Sequence, residues 1–342
     1  MARIALDAMG GDFAPSATVE GALLALGELD PVHRIQLVGR PGVMRQAIDR
    51  VVAGARDALA PHADRLELIE ALEVIDMSEK PSAVIRAKPN SSMHVGLRLQ
   101  ADGLSDAFVS AGNTGAQMAI SSLILRLHPG LSRPAISTVF PTAREPIVVV
   151  DSGANVDCSP QELVQFARLG AVYAEDILGR RNPVVGLLSI GEEPEKGSAA
   201  VKEAHQLLRM SGLNFQGNVE GRDLPQGGTD RGPIDVVVCD GFVGNALLKF
   251  YEAVAPFLIN MVAHHAGLSN DQLTATFKHL DYSEQGGAPL LGVRGVSIIS
   301  HGKSSPRAIK NAIKVGVRAV DSRMNEHIGR RLSGIEPAGT AA

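Results

Sequence analysis

Residues 147–162 read IVVVDSGANVDCSPQE, and this stretch carries the two signals that decide the fold. Its first four residues are β-branched and apolar, as in a strand buried on both faces of a parallel sheet. Ser159, Pro160 and Glu162 then give a helix start, with a capping serine, a proline at the first helical position and a glutamate at the third. The chain therefore passes from a buried strand through a short polar loop into a helix.

The same alternation recurs along the chain. Apolar runs predict strands at residues 3–8, 34–38, 66–70, 107–110, 147–151, 184–190, 236–240 and 296–300. Helical patterns occupy residues 15–29, 42–52, 92–103 and 112–127, and further helices start near residues 159, 242 and 305. This order is typical of an α/β fold with a mostly parallel sheet flanked by helices. We expect one large α/β catalytic unit over residues 1–335 and a disordered tail over residues 336–342.

Composition argues against several classes of function. There are 33 lysines and arginines against 37 aspartates and glutamates, a net charge of −4, so no nucleic-acid partner is expected. The two cysteines, Cys158 and Cys239, are too few for a disulfide framework. The sequence has no HExxH, CxxC or GxGxxG motif, so neither a metal nor a cofactor is expected. With neither a signal peptide nor an apolar span of about 20 residues, we expect a cytoplasmic protein.

Four polar, glycine-rich loops follow predicted strands, at residues 7–12, 110–115, 151–155 and 240–245. Ligands of parallel α/β folds bind beyond the carboxyl ends of the strands. Glycine lets backbone N–H groups approach an anion, and the helix that follows adds the positive end of its dipole. Each loop alone is also explained by a tight turn. Because there are four, we favour a site for phosphate or an oxyanion.

Other segments leave two interpretations open. Residues 80–92 are basic and punctuated by proline, which fits a phosphate-gripping loop or a solvated connection. Residues 191–197 form a surface turn or a lid that carries Lys196. His301 lies in another turn after a strand and is the most site-like histidine. Cys158 precedes a helix, but no neighbouring base is implied and we expect it to be inert.

Two helical segments raise the question of partners. Residues 253–280 carry an apolar face at helical spacing, which fits a core-facing hairpin or a protruding element that dimerises or touches a membrane. The last predicted helix carries a basic stripe, which is either a solvated face or a surface that docks an acidic carrier. Its members are Arg307, Lys310, Lys314 and Arg318.

Several short motifs occur in a fixed order along the chain. They are residues 4–12 with Pro15, and residues 110–116, 151–158, 217–221 with Asp223, 239–245, 282–284, 286–288 and 301–304. Together they resemble the PlsX family of acyl-carrier-protein–phosphate acyltransferases over about residues 3–320. The resemblance implies an enzyme that makes acyl-phosphate from fatty acyl carrier protein and inorganic phosphate for phospholipid synthesis.

The same resemblance implies further properties. The fold should be like that of isocitrate dehydrogenase and phosphotransacetylase, with a protruding helical hairpin. The protein should be a cytoplasmic homodimer without a cofactor. Peripheral membrane contact and a membrane-bound glycerol-3-phosphate acyltransferase as a partner are also implied.

Site residues follow from the matching motifs. The implied catalytic residues are His301, Asp12 and Asn155, with His301 orienting phosphate or protonating the leaving thiol. The expected phosphate- or substrate-binding residues are Gly10, Gly11, Asn113, Thr114, Gly115 and Asn245 from these motifs, with Lys88 from residues 80–92 and Lys196 from residues 191–197.

Two other functions fit parts of the sequence. A decarboxylating hydroxyacid dehydrogenase would share the fold, but it needs a metal-binding aspartate cluster and a nicotinamide loop. A non-catalytic scaffold for a carrier protein or membrane would keep the hairpin and the basic stripe, but it would have no need for polar strand-end loops.

Overall fold

The computed structural model describes residues 1–54, 59–266 and 286–333. The strands are β1 (Arg3–Asp7), β2 (Arg34–Gly39), β3 (Leu66–Glu70), β4 (Ala107–Ser110), β5 (Ala135–Phe140), β6 (Ile147–Val150), β7 (Val185–Leu188), β8 (Phe215–Val219), β9 (Gly228–Thr229), β10 (Gly232–Pro233), β11 (Val236–Val238), β12 (Ala288–Leu291) and β13 (Ser297–Ile299). The helices are α1 (Ser16–Glu28), α2 (Pro41–Gly54), α3 (Pro81–Ala87), α4 (Ser92–Ala101), α5 (Thr114–Ile124), α6 (Pro160–Leu178), α7 (Ala199–Arg209), α8 (Asp223–Gln226), α9 (Gly241–Ala266), α10 (Pro306–Asp321) and α11 (Met324–Leu332).

The chain divides into two compact units. Unit 1 comprises Met1–Gly130 and Gly286–Ala342, and unit 2 comprises Leu131–Gln285. The expected single catalytic unit over residues 1–335 stays a prediction. The second part of the predicted hairpin, residues 267–280, and the predicted tail, residues 336–342, lie outside the described residues.

Unit 1 has a mostly parallel sheet in the order β3-β2-β1-β4-β13-β12. Neighbours from β3 to β13 pair in parallel, and β12 pairs antiparallel with β13. Residues on β1 such as Ile4 and Leu6 are fully buried, as expected for a parallel sheet covered by helices. The carboxyl ends of β1, β4 and β13 lie at the same edge of this sheet.

Unit 2 has a second run of strands in the order β5-β6-β11-β7-β8. The last four pair in parallel, and β5 pairs antiparallel with β6. Val148, Val149 and Val150 of β6 are fully buried, which explains why an all-apolar sequence is stable here. The predicted capping box at the start of α6 is confirmed: Ser159 Oγ accepts the N–H of Glu162, and a carboxylate oxygen of Glu162 accepts the N–H of Ser159 at 2.8 Å.

Some elements differ from the sequence prediction. Residues 81–87, within the predicted loop, form the short helix α3, which starts at Pro81 and buries Val84. Strand β8 has the polar sequence FQGNV, and pairing with β7 stabilises it despite that composition. In the described ranges, no helix combines the length and the apolar character needed to cross a membrane.

We expect Ser159→Ala to lower the free energy of unfolding by about 1 kcal/mol, because the first turn of α6 loses a side-chain acceptor. Urea denaturation measures the change. Gln161→Ala, at an exposed position on the same turn, should change the free energy by less than about 0.5 kcal/mol. Equal losses in the two variants would contradict a stabilising role for the cap.

Candidate functional site

A buried carboxylate organises the strand-end loops of unit 1. Asp7, at the end of β1, is 1% exposed, and its Oδ2 accepts the hydroxyl of Ser110 at 2.8 Å. Ser110 Oγ in turn accepts the N–H of Gly112 at 3.0 Å. Burial raises the pKa of the Asp7 carboxyl, and hydrogen bonds from Ser92, Ser110 and the backbone oppose that rise. These bonds fix the loops after β1 and β4 relative to each other.

Gly10 is required by the close approach of these two loops. A Cβ added at Gly10 would lie 2.5 Å from Asp7 Oδ2 and 2.8 Å from the backbone nitrogen of Gly112. Real Cβ atoms essentially never approach backbone or carboxylate atoms so closely. A side chain here would therefore push the two loops apart.

The loop after β13 joins the same cluster. The N–H of Asp12 donates to the carbonyl of Gly302 at 2.7 Å. His301 Nδ1 accepts the N–H of Lys303 at 3.1 Å, and both side chains are exposed. A neutral imidazole that accepts at Nδ1 carries its hydrogen at Nε2, so Nε2 is the atom that can donate to a ligand.

Asn113 and Lys88 both donate hydrogen bonds to residues 74–79, the segment that precedes α3. Asn113 caps α5, with its Oδ1 accepting the N–H of Ala116, and its amide donates to the carbonyls of Asp76, Met77 and Glu79. Lys88 Nζ donates to the carbonyl of Val74 at 2.7 Å and to the carboxylate of Glu79 at 2.5 Å. Both side chains thus fix the segment that precedes α3. The N–H groups of Thr114 and Gly115, in the first turn of α5, have no partner within the helix and can receive an anion.

A second buried carboxylate organises unit 2. Asp151, directly after β6, is fully buried. Its Oδ1 accepts the backbone N–H groups of Ile136, Gly153 and Ala154 at 3.0, 3.1 and 3.0 Å. Its Oδ2 accepts the backbone N–H of Asn155 at 2.7 Å and the side-chain amide of Asn155 at 2.9 Å. Burial raises the pKa of the Asp151 carboxyl, and these donors act in the opposite direction.

Asn155 connects this carboxylate to the loop after β11. The side-chain amide of Asn155 also donates to the carbonyl of Pro134 at 2.8 Å. The backbone carbonyl of Asn155 accepts the N–H of Gly241 at 2.7 Å. A Cβ at Gly241 would lie 2.6 Å from that carbonyl oxygen, so glycine is needed there. Asn245 is exposed on the first turns of α9, where its side chain adjoins Gly153.

The predicted site residues divide between the two units. Gly10, Gly11, Asp12, Lys88, Asn113, Thr114, Gly115 and His301 lie in unit 1, and Asn155, Lys196 and Asn245 lie in unit 2. We name the unit 1 group, with Asp7, Ser110 and Lys303, the unit 1 loop cluster. Lys196 is exposed in the turn between β7 and α7, where its N–H donates to the carbonyl of Glu193. The roles of these residues stay proposals.

Cys158 is half-buried, and its environment makes the thiol a poor nucleophile. Its Sγ lies 3.6 Å from the carbonyl oxygen of Asn155. Burial, with smaller contributions from the carboxylates of Asp151 and Asp240, raises the pKa of the Cys158 thiol to about 12. Because only the thiolate is an effective nucleophile, the thiol is unreactive at neutral pH. Burial likewise raises the pKa of Cys239.

Comparison with known proteins identifies the family. The model of the family described as "Fatty acid synthesis protein" matches residues 2–327. Phosphate acyltransferase from Desulforamulus reducens is 46% identical over 330 residues, which cover 94% of each chain. The enzyme of the same name from Heliobacterium modesticaldum is 45% identical and covers 98% of this chain and 99% of that one. This chain belongs to the phosphate acyltransferase family. The resemblance to the PlsX family is therefore confirmed, and the two rival functions are not supported.

Solved structures confirm the fold class. The structure is similar to the EutD phosphotransacetylase from Staphylococcus aureus, with a TM-score of 0.59 and 17% identity over 94% of each chain. A phosphotransacetylase from Streptococcus pyogenes gives a TM-score of 0.62, also at 17% identity and over 94% of each chain. The predicted phosphotransacetylase-like α/β fold is thus correct.

Asp7, Asp151 and Ser110 are not among the predicted site residues, although the structure places them at the centre of these loops. The signal was present, since each aspartate follows an apolar strand and precedes a glycine-rich loop. Lys303 also went unassigned, although it stands two residues after His301. Within residues 1–54, 59–266 and 286–333, no three His, Cys, Asp or Glu side chains group as metal ligands.

We expect Cys158→Ala to retain most of the activity, because a thiol with a pKa of about 12 forms almost no thiolate at neutral pH. Alkylation of Cys158 by iodoacetamide should accelerate about tenfold per pH unit between about pH 8 and 11. Mass spectrometry of the native protein follows the labelling. A stable acyl adduct on Cys158, or a labelling rate that levels off near pH 8, would contradict this assignment.

Proposed function

We propose that this protein transfers the acyl group of fatty acyl carrier protein to inorganic phosphate. The products are acyl-phosphate, which feeds phospholipid synthesis, and free acyl carrier protein. The observation that carries the proposal is 46% identity with a phosphate acyltransferase over 94% of both chains. The polar loops at the strand ends of both units supply chemistry of the required kind.

The reaction needs positioning more than strong bases. A phosphate oxygen attacks the thioester carbonyl carbon, and a C–O bond forms. Collapse of the tetrahedral intermediate breaks the C–S bond, and the departing thiolate takes a proton. Much of the phosphate is already dianionic at neutral pH, and a thiolate leaves readily. The main demands are an anion site, donors to the developing oxyanion and alignment of the substrates.

We assign phosphate binding to the unit 1 loop cluster. The first-turn N–H groups of Thr114 and Gly115 combine with the positive end of the α5 dipole. Lys303 adds a cation, and the Nε2 hydrogen of His301 adds a neutral donor. Asn113, whose amide donates to backbone carbonyls, and Lys88, which donates to Val74 and Glu79, are proposed as positioning residues for this cluster.

Asp12, Gly10 and Gly11 belong to the same cluster. They are proposed to position the reacting groups. In unit 2, Asn155 is proposed to act through the loop that it holds, because its amide is bonded to Asp151 and Pro134. Asn245 and Lys196 are exposed and are proposed to contact the substrate directly.

The direct test mixes the purified protein with palmitoyl–acyl carrier protein, with and without phosphate. Free carrier thiol should be released only when phosphate is present, without added nucleotide or metal. Thiol release that is indifferent to phosphate would contradict the proposed reaction.

We expect Lys303→Ala to raise KM for phosphate about 10- to 150-fold, because a charged hydrogen bond contributes about 1.5–3 kcal/mol. KM for the acyl substrate should change little. Lys202→Ala, at an exposed lysine on α7, is the control. Wild-type KM for phosphate in Lys303→Ala would place the anion elsewhere.

We further propose a cytoplasmic homodimer with peripheral membrane contact, which passes acyl-phosphate to a membrane-bound glycerol-3-phosphate acyltransferase. This rests on the family resemblance. It is supported by apolar side chains on α9 that are exposed to solvent in the single chain: Phe250 at 64%, Phe257 at 63% and Met261 at 42%.

Phe257→Glu should weaken binding to vesicles of phosphatidylglycerol and phosphatidylcholine about 10-fold or more, because one buried phenylalanine contributes about 1.5–3 kcal/mol. Vesicle flotation measures binding. Val32→Glu, an equivalent exposed change in unit 1, should float like the wild type. Unchanged flotation of Phe257→Glu would remove this residue from the membrane contact.

A further inference from the structure

Unit 2 contains a cavity to which the proposed function above gives no role. Its volume is about 580 Å³, which lies within the range of small-molecule pockets. Elements α6, β7, α7 and α9 contribute its walls. Aliphatic side chains form much of the lining, among them Leu163, Leu187, Val201, Val243 and Leu247.

Part of the cavity lining comes from the strand-end loops of unit 2. Cys158, Cys239 and Asp240 also line it, and they belong to the loops after β6 and β11 that Asp151 and Asn155 organise. Both thiols have pKa values raised by burial, so they remain protonated and behave as small apolar groups. The lining is thus largely apolar, and residues of the polar loops after β6 and β11 form part of it.

The charged residues in the lining favour a neutral apolar ligand over an anionic one. Asp157 and Asp240 contribute carboxylates, and among the residues that the structure describes, no lysine or arginine lines the cavity. A free fatty acid would bring a carboxylate towards these two, at an electrostatic cost. A thioester is neutral, so its chain can enter without that repulsion.

We propose that this cavity holds the hydrocarbon chain of the acyl thioester and limits its length. The inference rests on the proposed function, because acyl carrier protein supplies such a chain. Each methylene moved from water into the cavity tightens binding about fourfold, until the cavity is filled. Affinity should therefore rise with chain length and then level off.

The test uses dissociation constants for acyl carrier protein carrying chains of increasing length, measured without phosphate. Ala200 lines the cavity at the start of α7, and its neighbour Ala199 is exposed and does not. Ala200→Phe should make the affinity level off at a shorter chain. If the larger side chain excludes two methylenes from the cavity, affinity for longer substrates should fall about fifteenfold. Ala199→Phe should keep the wild-type profile.

Leu247→Ala provides the opposite change, because it enlarges the cavity and should move the levelling point to longer chains. Opposite shifts cannot result from general damage to the fold. Wild-type profiles in both Ala200→Phe and Leu247→Ala would overturn the proposal, as would tighter binding of free palmitate than of the palmitoyl thioester. Since binding is measured without turnover, failure here is distinct from failure of phosphate-dependent thiol release.

Discussion

A carboxylate buried at the end of a parallel strand must find hydrogen-bond donors nearby, because an unpaired buried charge is strongly unfavourable. Asp7 meets this requirement in unit 1 and Asp151 meets it in unit 2. The donors come from the following loop and from a neighbouring strand end: Ser110 for Asp7, and Ile136, Gly153, Ala154 and Asn155 for Asp151. Each carboxylate therefore fixes the loops in which the candidate chemistry lies.

This constraint explains the composition of the loops. Gly10 and Gly241 stand where a Cβ would collide with a carboxylate oxygen or backbone atoms of the neighbouring loop. Residues with larger side chains would prevent the N–H groups from converging. Preorganised N–H groups are what an anion or a developing oxyanion requires, and in the proposed phosphate site the first-turn N–H groups of Thr114 and Gly115 meet that requirement.

Much of the fold was predictable from local sequence. The runs of valine and isoleucine in β6 and β11, and the capping box before α6, depend on residues close in the chain. Strand β8 and helix α3 were missed because tertiary pairing and burial stabilise sequences with weak local signals. The polar loops after β1, β4, β6 and β11 follow strands as predicted, and their role in a site stays a prediction.

The detailed roles were less predictable. From sequence, Asn113 is a helix cap whose side-chain amide is available to a ligand. In the structure that amide donates to carbonyls 34 to 37 residues earlier in the chain. Lys88 likewise pairs with Glu79, and no spacing rule gives this contact. Both side chains therefore support the segment that precedes α3, and their role in binding phosphate stays a prediction.

The strand-end loops are proposed to promote bond formation between a phosphate oxygen and the acyl carbonyl carbon. The most direct measurement supplies phosphate fully labelled with oxygen-18 and determines the mass of the product. The account predicts acyl-phosphate that retains all four labelled oxygens. Free fatty acid as the sole acyl product, or acyl-phosphate without the label, would contradict it.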